Sequence, residues 1–309
     1  MKSQILKIFQ SAKDVVSGEA LSAALGISRV SVWKHIQKLQ ECGYDIDAGA
    51  KGYRLRSSPD IPYSWEFPDR EGGVHYFSEV ASTMDIARDM ARKGAPHMTV
   101  VTAGRQTSGR GRLRRVWHSD DGGLYATVIL RPDIPLQWCF RVNFAASLTL
   151  CRTIRRETGV AAVVKWPNDI LVNGEKLSGM LSEMEAEAGM VSFITVGFGI
   201  NVNNDPTPVE PAACSLQRLT GAMVSRKALL AAYIDELESY LRYTDFETTI
   251  NDWKTLNCTI GKQVRVVAMQ EISAGLAVDV DPGGALILKL ADGSLKKILY
   301  GDCMNDENA

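Results

Sequence analysis

Leu177-Ser178-Gly179-Met180-Leu181-Ser182-Glu183-Met184-Glu185, followed five residues later by Val191-Ser192-Phe193-Ile194-Thr195-Val196-Gly197-Phe198, decides the fold class. Both runs have strand length, and no helical pattern separates them. Working outward, further strand-like runs cover 98–103, 124–130 and 160–165, with helical patterns at 84–92, 142–158 and 226–243. Strands with helices set among them, and no regular βαβα alternation, predict an α+β domain built on a mixed or antiparallel sheet. No GxGxxG follows a strand and no GxxxxGK[ST] occurs, so a Rossmann or P-loop nucleotide site is excluded.

The chain has 309 residues, 45% hydrophobic and 23% charged, enough for two or three globular domains and incompatible with disorder throughout. No stretch approaches the roughly 18 uninterrupted apolar residues of a membrane span, and residues 1–10 mix polar and apolar side chains unlike a signal peptide. A cytoplasmic protein without a membrane partner is expected. The cysteines (Cys42, Cys139, Cys151, Cys214, Cys258, Cys303) form no CxxC pair and read as reduced structural thiols. Residues 1–58 hold nine Lys/Arg against five Asp/Glu, so a segment of charge +4 precedes a body of −5. That balance is compatible with a phosphate-bearing partner at the N-terminus.

In the N-terminal segment, Ile5, Leu6, Ile8 and Phe9 fit the buried face of a first helix. A second helix covers 17–25 and ends at Gly26; a third is capped by Ser28 and continues through Val30, Trp33, Ile36, Gln37 and Leu39. Two short helices around a glycine turn predict a helix-turn-helix, whose second helix would present Ser28, Arg29, Ser31, Val32, Lys34 and His35 to a DNA major groove. Residues 44–47 and 49–55 alternate like a hairpin, the wing of a winged helix, with Lys51 and Arg54 placed for backbone phosphate. A helical domain used for packing or dimerisation would bury the same residues. Residues 57–62, Ser-Ser-Pro-Asp-Ile-Pro, read as the linker.

Gly104-Arg105-Gln106-Thr107-Ser108-Gly109-Arg110-Gly111-Arg112-Leu113-Arg114-Arg115 concentrates five guanidinium groups and three glycines without an acid. Glycine permits close backbone approach and arginine forks suit phosphate and carboxylate oxygens, which describes an anion cradle; a solvated basic loop or a nucleic-acid patch has the same composition. Ser82-Thr83-Met84-Asp85 has the pattern of a capping box, with Ser82 as N-cap and Asp85 reaching back, at a helix start able to take polar ligand atoms. Asn168-Asp169 after Pro167 reads as a turn, and Trp117 and Trp166 as core residues, when each is taken alone.

Gly109-Arg110-Gly111-Arg112 with Trp117, Lys165-Trp166-Pro167-Asn168-Asp169, Lys176-Leu177-Ser178-Gly179 and Gly197-Phe198-Gly199-Ile200-Asn201-Val202 together resemble biotin–protein ligases in order and spacing. With the winged helix in front and a small β-domain behind, nearly the whole chain is similar to the bifunctional biotin ligase and biotin-operon repressor class. The resemblance implies a class II synthetase-like catalytic domain that joins biotin and ATP into biotinoyl-5′-adenylate. The biotinoyl group then passes to a lysine of a biotin carboxyl carrier protein, an acetyl-CoA carboxylase subunit or its equivalent. It assigns Ser82, Thr83, Met84, Gln106, Arg110, Gly111, Arg112 and Lys176 to biotin, and Arg112, Arg115, Trp117, Asn168, Asp169 and Asn201 to ATP or the adenylate. Arg110, Arg112, Arg115, Lys176 and Asp169 become the expected catalytic set, Asp169 the expected Mg²⁺ carboxylate, and Trp166 a further pocket wall. A biotin operator and a ligand-promoted homodimer are the implied regulatory partners. The Gly/Arg loop is expected to order over its ligand.

Residues 261–267, 274–280, 285–290 and 295–300 are short alternating strands separated by Gly turns, resembling the family's SH3-like β-barrel. Many relatives carry an Arg shortly after a Gly-Asp pair, whereas Gly301-Asp302 here is followed by Cys303-Met304-Asn305. The expected domains are 1–58, 59–255 and 256–309. Two rival readings are a lipoate or octanoate ligase, which the Gly/Arg loop and winged helix disfavour, and a sensor with a vestigial site, which the retained Lys176, Asp169 and arginines disfavour.

Overall fold

Ser28 opens its helix as expected: Oγ accepts a hydrogen bond from the Ser31 backbone N–H at 3.2 Å, satisfying one of the free donors of a helix start. In the computed structural model, which describes residues 1–305 other than 13, 71, 269 and 270, three helices lead the chain: α1 (Lys2–Ser11), α2 (Gly18–Leu25) and α3 (Arg29–Glu41). The antiparallel hairpin β1 (Asp45–Gly49) and β2 (Gly52–Ser57) follows. Ile5, Leu6, Phe9, Leu21, Val32, Ile36 and Leu39 close one core. Val32, Ile36 and Leu39 mark the inner face of α3 at spacings of four and three, so Val30 and Trp33 fall outside it, 63% and 47% exposed. Just beyond the expected linker 57–62, Tyr63 and Trp65 stack on each other with centroids 4.5 Å apart and pack against this same core.

Met1–Val74 forms one compact unit and His75–Ala309 a second. The second unit holds a seven-stranded sheet in the order β3 (Val74–Val80), β4 (Thr99–Gln106), β5 (Leu124–Leu130), β9 (Met190–Ile200), β8 (Glu175–Glu187), β7 (Asp169–Val172), β6 (Val163–Lys165). The registers from β4 through to β6 are antiparallel, and parallel bridges at Val164–Asn257 and Lys176–Ala213 add the mixed component. The α+β expectation therefore holds. Side chains alternate across β9 as a strand requires. Phe198 meets Tyr233 of α7 (Arg226–Tyr243) edge-on at 4.8 Å. Phe193, by contrast, packs with Ala87 and Ala91 of α4 (Thr83–Arg92), on the face that also carries Gly197 and Gly199.

Three more helices complete this unit: α5 (Cys139–Thr158), α6 (Leu216–Thr220) and α8 (Phe246–Thr255). A five-stranded antiparallel sheet ends the chain, in the order β13 (Leu295–Ile298), β12 (Leu286–Lys289), β11 (Glu271–Val280), β10 (Gln263–Ala268), β14 (Asp302–Asn305). Trp166, expected to line the ligand pocket, is instead 1% exposed, and its indole N–H donates to the Gly284 carbonyl at 3.0 Å. It fastens the seven-stranded sheet to the five-stranded one, because a buried indole N–H needs an acceptor.

Candidate active site

Gly197 and Gly199 open the space that the site occupies. A Cβ at Gly197 would stand 2.5 Å from Met84 Sδ, and one at Gly199 would stand 2.1 Å from Trp117 Nε1. Both side chains can lie on β9 only because neither glycine carries a side chain. Around them, Ser82, Thr83, Met84, Gln106, Arg110, Gly111, Arg112, Arg115, Trp117, Asn168, Asp169, Lys176 and Asn201 all line one cavity. Every residue expected at a biotin or nucleotide subsite is thus brought together from separate segments. The Arg114 side chain lies outside the described residues.

At one end the polar contacts are neutral. Gln106 Oε1 accepts from the Thr83 N–H at 2.8 Å and from its hydroxyl at 3.1 Å, and Gln106 Nε2 donates to Ser119 Oγ at 2.9 Å. Ser82 caps α4 through the Met84 N–H (3.3 Å). Asp85 does not close a capping box: it pairs with Arg88 at 2.7 Å and Arg110 at 3.2 Å, since these cations attract it more strongly than a neutral N–H.

The other end is charged. Arg112 donates to Asn168 Oδ1 (3.0 Å) and to the Gly301 carbonyl (3.2 Å), and Arg115 pairs with Asp302. Burial pushes the Arg112 guanidinium down from its ordinary value, opposed by the carboxylates of Asp302 and Asp169. Lys176 Nζ lies 2.9 Å from Asp169 and 5.6 Å from the centre of the Trp117 ring, while the Trp117 indole N–H is buried without a protein partner. Asn201, 4% exposed, accepts from Asn204 Nδ2 at 3.1 Å.

The lining segment Asn204, Asp205, Pro206, Val209, Glu210 and Ala213 was not anticipated. It has no repeat or charge signature, and parallel pairing of Ala213 with Lys176 is what carries it to the cavity. No group of three or more His, Cys, Asp or Glu is arranged to hold a metal among the described residues. Asp169 and Asp302 at the charged end each face a cation and do not cluster with a third described ligand, which fits a Mg²⁺ that arrives on nucleotide phosphates, not one held by a protein cage.

In the first unit, Arg29, Lys34, Lys51 and Arg54 are exposed, as the nucleic-acid reading requires. Val32 is 0% exposed and belongs to the core, so it faces away from any groove; Val30 and Trp33 occupy the open face. Ser28 Oγ and Ser31 Oγ lie 3.0 Å apart within the cap. His35 is pushed down by burial and by the N-terminal ammonium, Lys38 and Lys2, which leaves it neutral at pH 7.

The fold and cavity define a cofactor-attaching ligase fused to a helix-turn-helix, and the comparisons agree. Residues 76–201 match the Biotin/lipoate A/B protein ligase family, residues 2–54 an HTH domain, and residues 259–304 the Biotin protein ligase C terminal domain. The bifunctional ligase/repressor BirA of Bacillus subtilis is 34% identical over 98% of both chains, and that of Escherichia coli 27% identical over 93% of this chain and 91% of its own. The solved biotin protein ligase of Aquifex aeolicus, in complex with biotin and ATP, superposes with a TM-score of 0.65 at 25% identity, covering 76% of this chain and 99% of that one. The chain belongs to the family of bifunctional biotin ligase/repressors.

Proposed function

We propose that this chain condenses biotin with ATP to biotinoyl-5′-AMP and transfers the biotinoyl group to one lysine of a biotin carboxyl carrier protein. Convergence of the thirteen expected residues on one cavity is the observation that carries this reading. A biotin carboxylate oxygen attacks the α-phosphorus of ATP and pyrophosphate leaves; the acceptor amine then attacks the acyl carbon and AMP leaves. Both steps gather negative charge, so fixed cations lower the barrier, and Arg112, Arg115 and Lys176 are assigned that role. The Thr83–Gln106–Ser119 chain offers donors and acceptors to the ureido group, which selects for it because an analogue lacking it leaves them unpaired. Ser82, Met84 and Gly111 complete the biotin side; Trp117, Asn168, Asp169 and Asn201 line the nucleotide side. Mg²⁺ with Asp169 would neutralise phosphate charge.

ATP–pyrophosphate exchange, run separately with biotin, lipoate and octanoate, tests the first step. Exchange with biotin alone is expected; exchange with lipoate would assign the chain to the sister activity. Leu113 and Val116, 52% and 67% exposed, lie at a loop tip whose ties to the body are the polar contacts of Arg112 and Arg115 and not apolar packing, which supports a loop that rearranges over the adenylate. Trypsin should cut the loop more slowly with biotin and ATP present, and equal rates would exclude closure.

We also propose that the first unit represses biotin genes as a ligand-promoted homodimer. The exposed basic residues of α3 and the wing support operator binding. Leu136, Trp138 and Met190, 38–42% exposed near the β8–β9 turn, support an apolar self-contact. The six unpaired cysteines support a reducing, cytoplasmic setting, and no described helix is long and apolar enough to cross a membrane. We divide the chain at 58/59 and 255/256. Sedimentation with and without biotin and ATP tests the homodimer, and a monomer under both conditions would refute it.

A further inference from the structure

Arg110 stands at the base of the Gly/Arg loop's tip, and its charge is met inside the protein. Its two terminal nitrogens meet Glu183 in a bidentate pair, Nη1 to Oε1 at 3.0 Å and Nη2 to Oε2 at 3.1 Å, and Nη2 also lies 3.2 Å from Asp85 Oδ1. Arg88 closes the ring, 2.7 Å from Asp85 Oδ1 and 3.3 Å from Glu183 Oε2. The Arg110 Nε is buried and without a protein partner. Two cations and two carboxylates therefore form a neutral four-membered clasp, with side chains 29–42% exposed.

We propose that Asp85, Arg88, Glu183 and Arg110 act as a positioning clasp for the ligase reaction, and that Arg110 is not one of the cations that stabilise its anions. A neutral ring adds no net positive charge where phosphate charge develops, so its effect on the reaction runs through geometry. That geometry is specific. Asp85 and Arg88 lie on α4, whose first residues Thr83 and Met84 line the cavity; Glu183 lies on β8, which supplies Lys176, Gly179 and Met180; Arg110 lies at the base of the loop. Backbone bonds tie the outer parts of this loop, Thr107 N to Val80 O at 3.0 Å, Ser108 N to Ala81 O at 2.9 Å and Trp117 N to Gly109 O at 2.9 Å, whereas the inner bonds, Gly111 N to Arg115 O at 2.8 Å and Arg115 N to Arg112 O at 3.0 Å, stay within the loop itself. The clasp fixes the point from which residues 111–116 swing. An isolated exposed ion pair holds little, whereas a closed ring with a bidentate arginine holds a geometry.

The inference rests on the ligase reading for the identity of the ligand. It is tested with the full chain by Glu183→Gln, Asp85→Asn, Arg110→Ala and the Arg110→Ala/Glu183→Gln double variant. Each single variant should raise the KM for biotin in pyrophosphate exchange about five- to tenfold, with kcat within about twofold and the melting temperature nearly unchanged. The double variant should be no worse than Arg110→Ala alone. Trypsin should cut at Arg112 or Arg115 faster in Glu183→Gln and Asp85→Asn than in wild type, a readout that needs no turnover. Loss of kcat in Arg110→Ala with Glu183→Gln and Asp85→Asn unaffected would overturn the proposal, since Arg110 would then touch the anion directly. Lower melting temperatures with unchanged KM and unchanged cleavage would overturn it too, leaving the ring a fold staple. Failure of wild type to exchange with biotin would refute the ligase reading, and the trypsin comparison would still decide the clasp.

Discussion

Lys176 Nζ stands 2.9 Å from Asp169 Oδ1, the two side chains coming from the adjacent strands β8 and β7 and remaining 33% and 23% exposed. The pair places a cation and a carboxylate at the charged end of the cavity, each close enough to water to exchange its partner for an incoming ligand. Its location on paired strands, not on the loop, holds this cation independently of the loop.

Lys176→Ala should therefore lower the rate of biotin-dependent pyrophosphate exchange about a hundred- to a thousandfold, the range for removal of one fixed transition-state contact. The melting temperature should change little, because the ammonium is not part of the core. Parallel loss of stability and exchange would make Lys176 a structural residue.

Gly199→Ala is the sharpest steric test of the site. The new methyl carbon would fall 2.1 Å from the Trp117 ring nitrogen, so the indole must move, at a cost of about 1–3 kcal/mol for overpacking. We expect the KM for ATP to rise about tenfold while exchange at saturation is less affected. An unchanged KM would remove Trp117 from the nucleotide side.

On the N-terminal unit, Arg29→Ala should weaken operator binding about tenfold, flatten its salt dependence, and leave ligation intact. Trp33→Ala should instead relax sequence preference, because an exposed apolar ring on α3 is suited to base edges and thymine methyl groups and not to phosphate. Mobility shifts on operator and scrambled DNA at two salt concentrations distinguish the two effects. Identical losses on both DNAs for Trp33→Ala would exclude base reading.

Alkaline pH should destabilise the second unit. Burial pushes the thiols of Cys303 and Cys214 up to about 11 and that of Cys151 up to about 12, from an ordinary value of 9.0. Above pH 9 the unfolded chain loses these protons first, so the folded form binds more protons and stability falls with pH. The contribution is whole below pH 9 and is lost as pH rises through 11 to 12. Melting curves in reducing buffer should show a decline that begins near pH 9, and a flat profile to pH 11 would contradict thiol burial.

What the sequence determined by itself is local. Ser28 and Ser82 mark helix starts because a hydroxyl cap needs only the next few residues, and the strand runs announce a sheet without helical alternation for the same short-range reason. The ordered motifs carried the likeness to biotin ligases, and one cavity gathers the thirteen residues expected at its two subsites, while Trp166 packs elsewhere. Tertiary structure alone decided the partners. Val32 points inward because α3 packs on α1 and α2, Trp166 fastens two sheets, Asp85 turns from the backbone N–H of its cap to Arg88 and Arg110, and residues 204–213 reach the site through pairing with Lys176. Each is a contact between segments distant in sequence, or a choice between competing donors. Such choices depend on the three-dimensional field of charge and packing, which no window of residues contains.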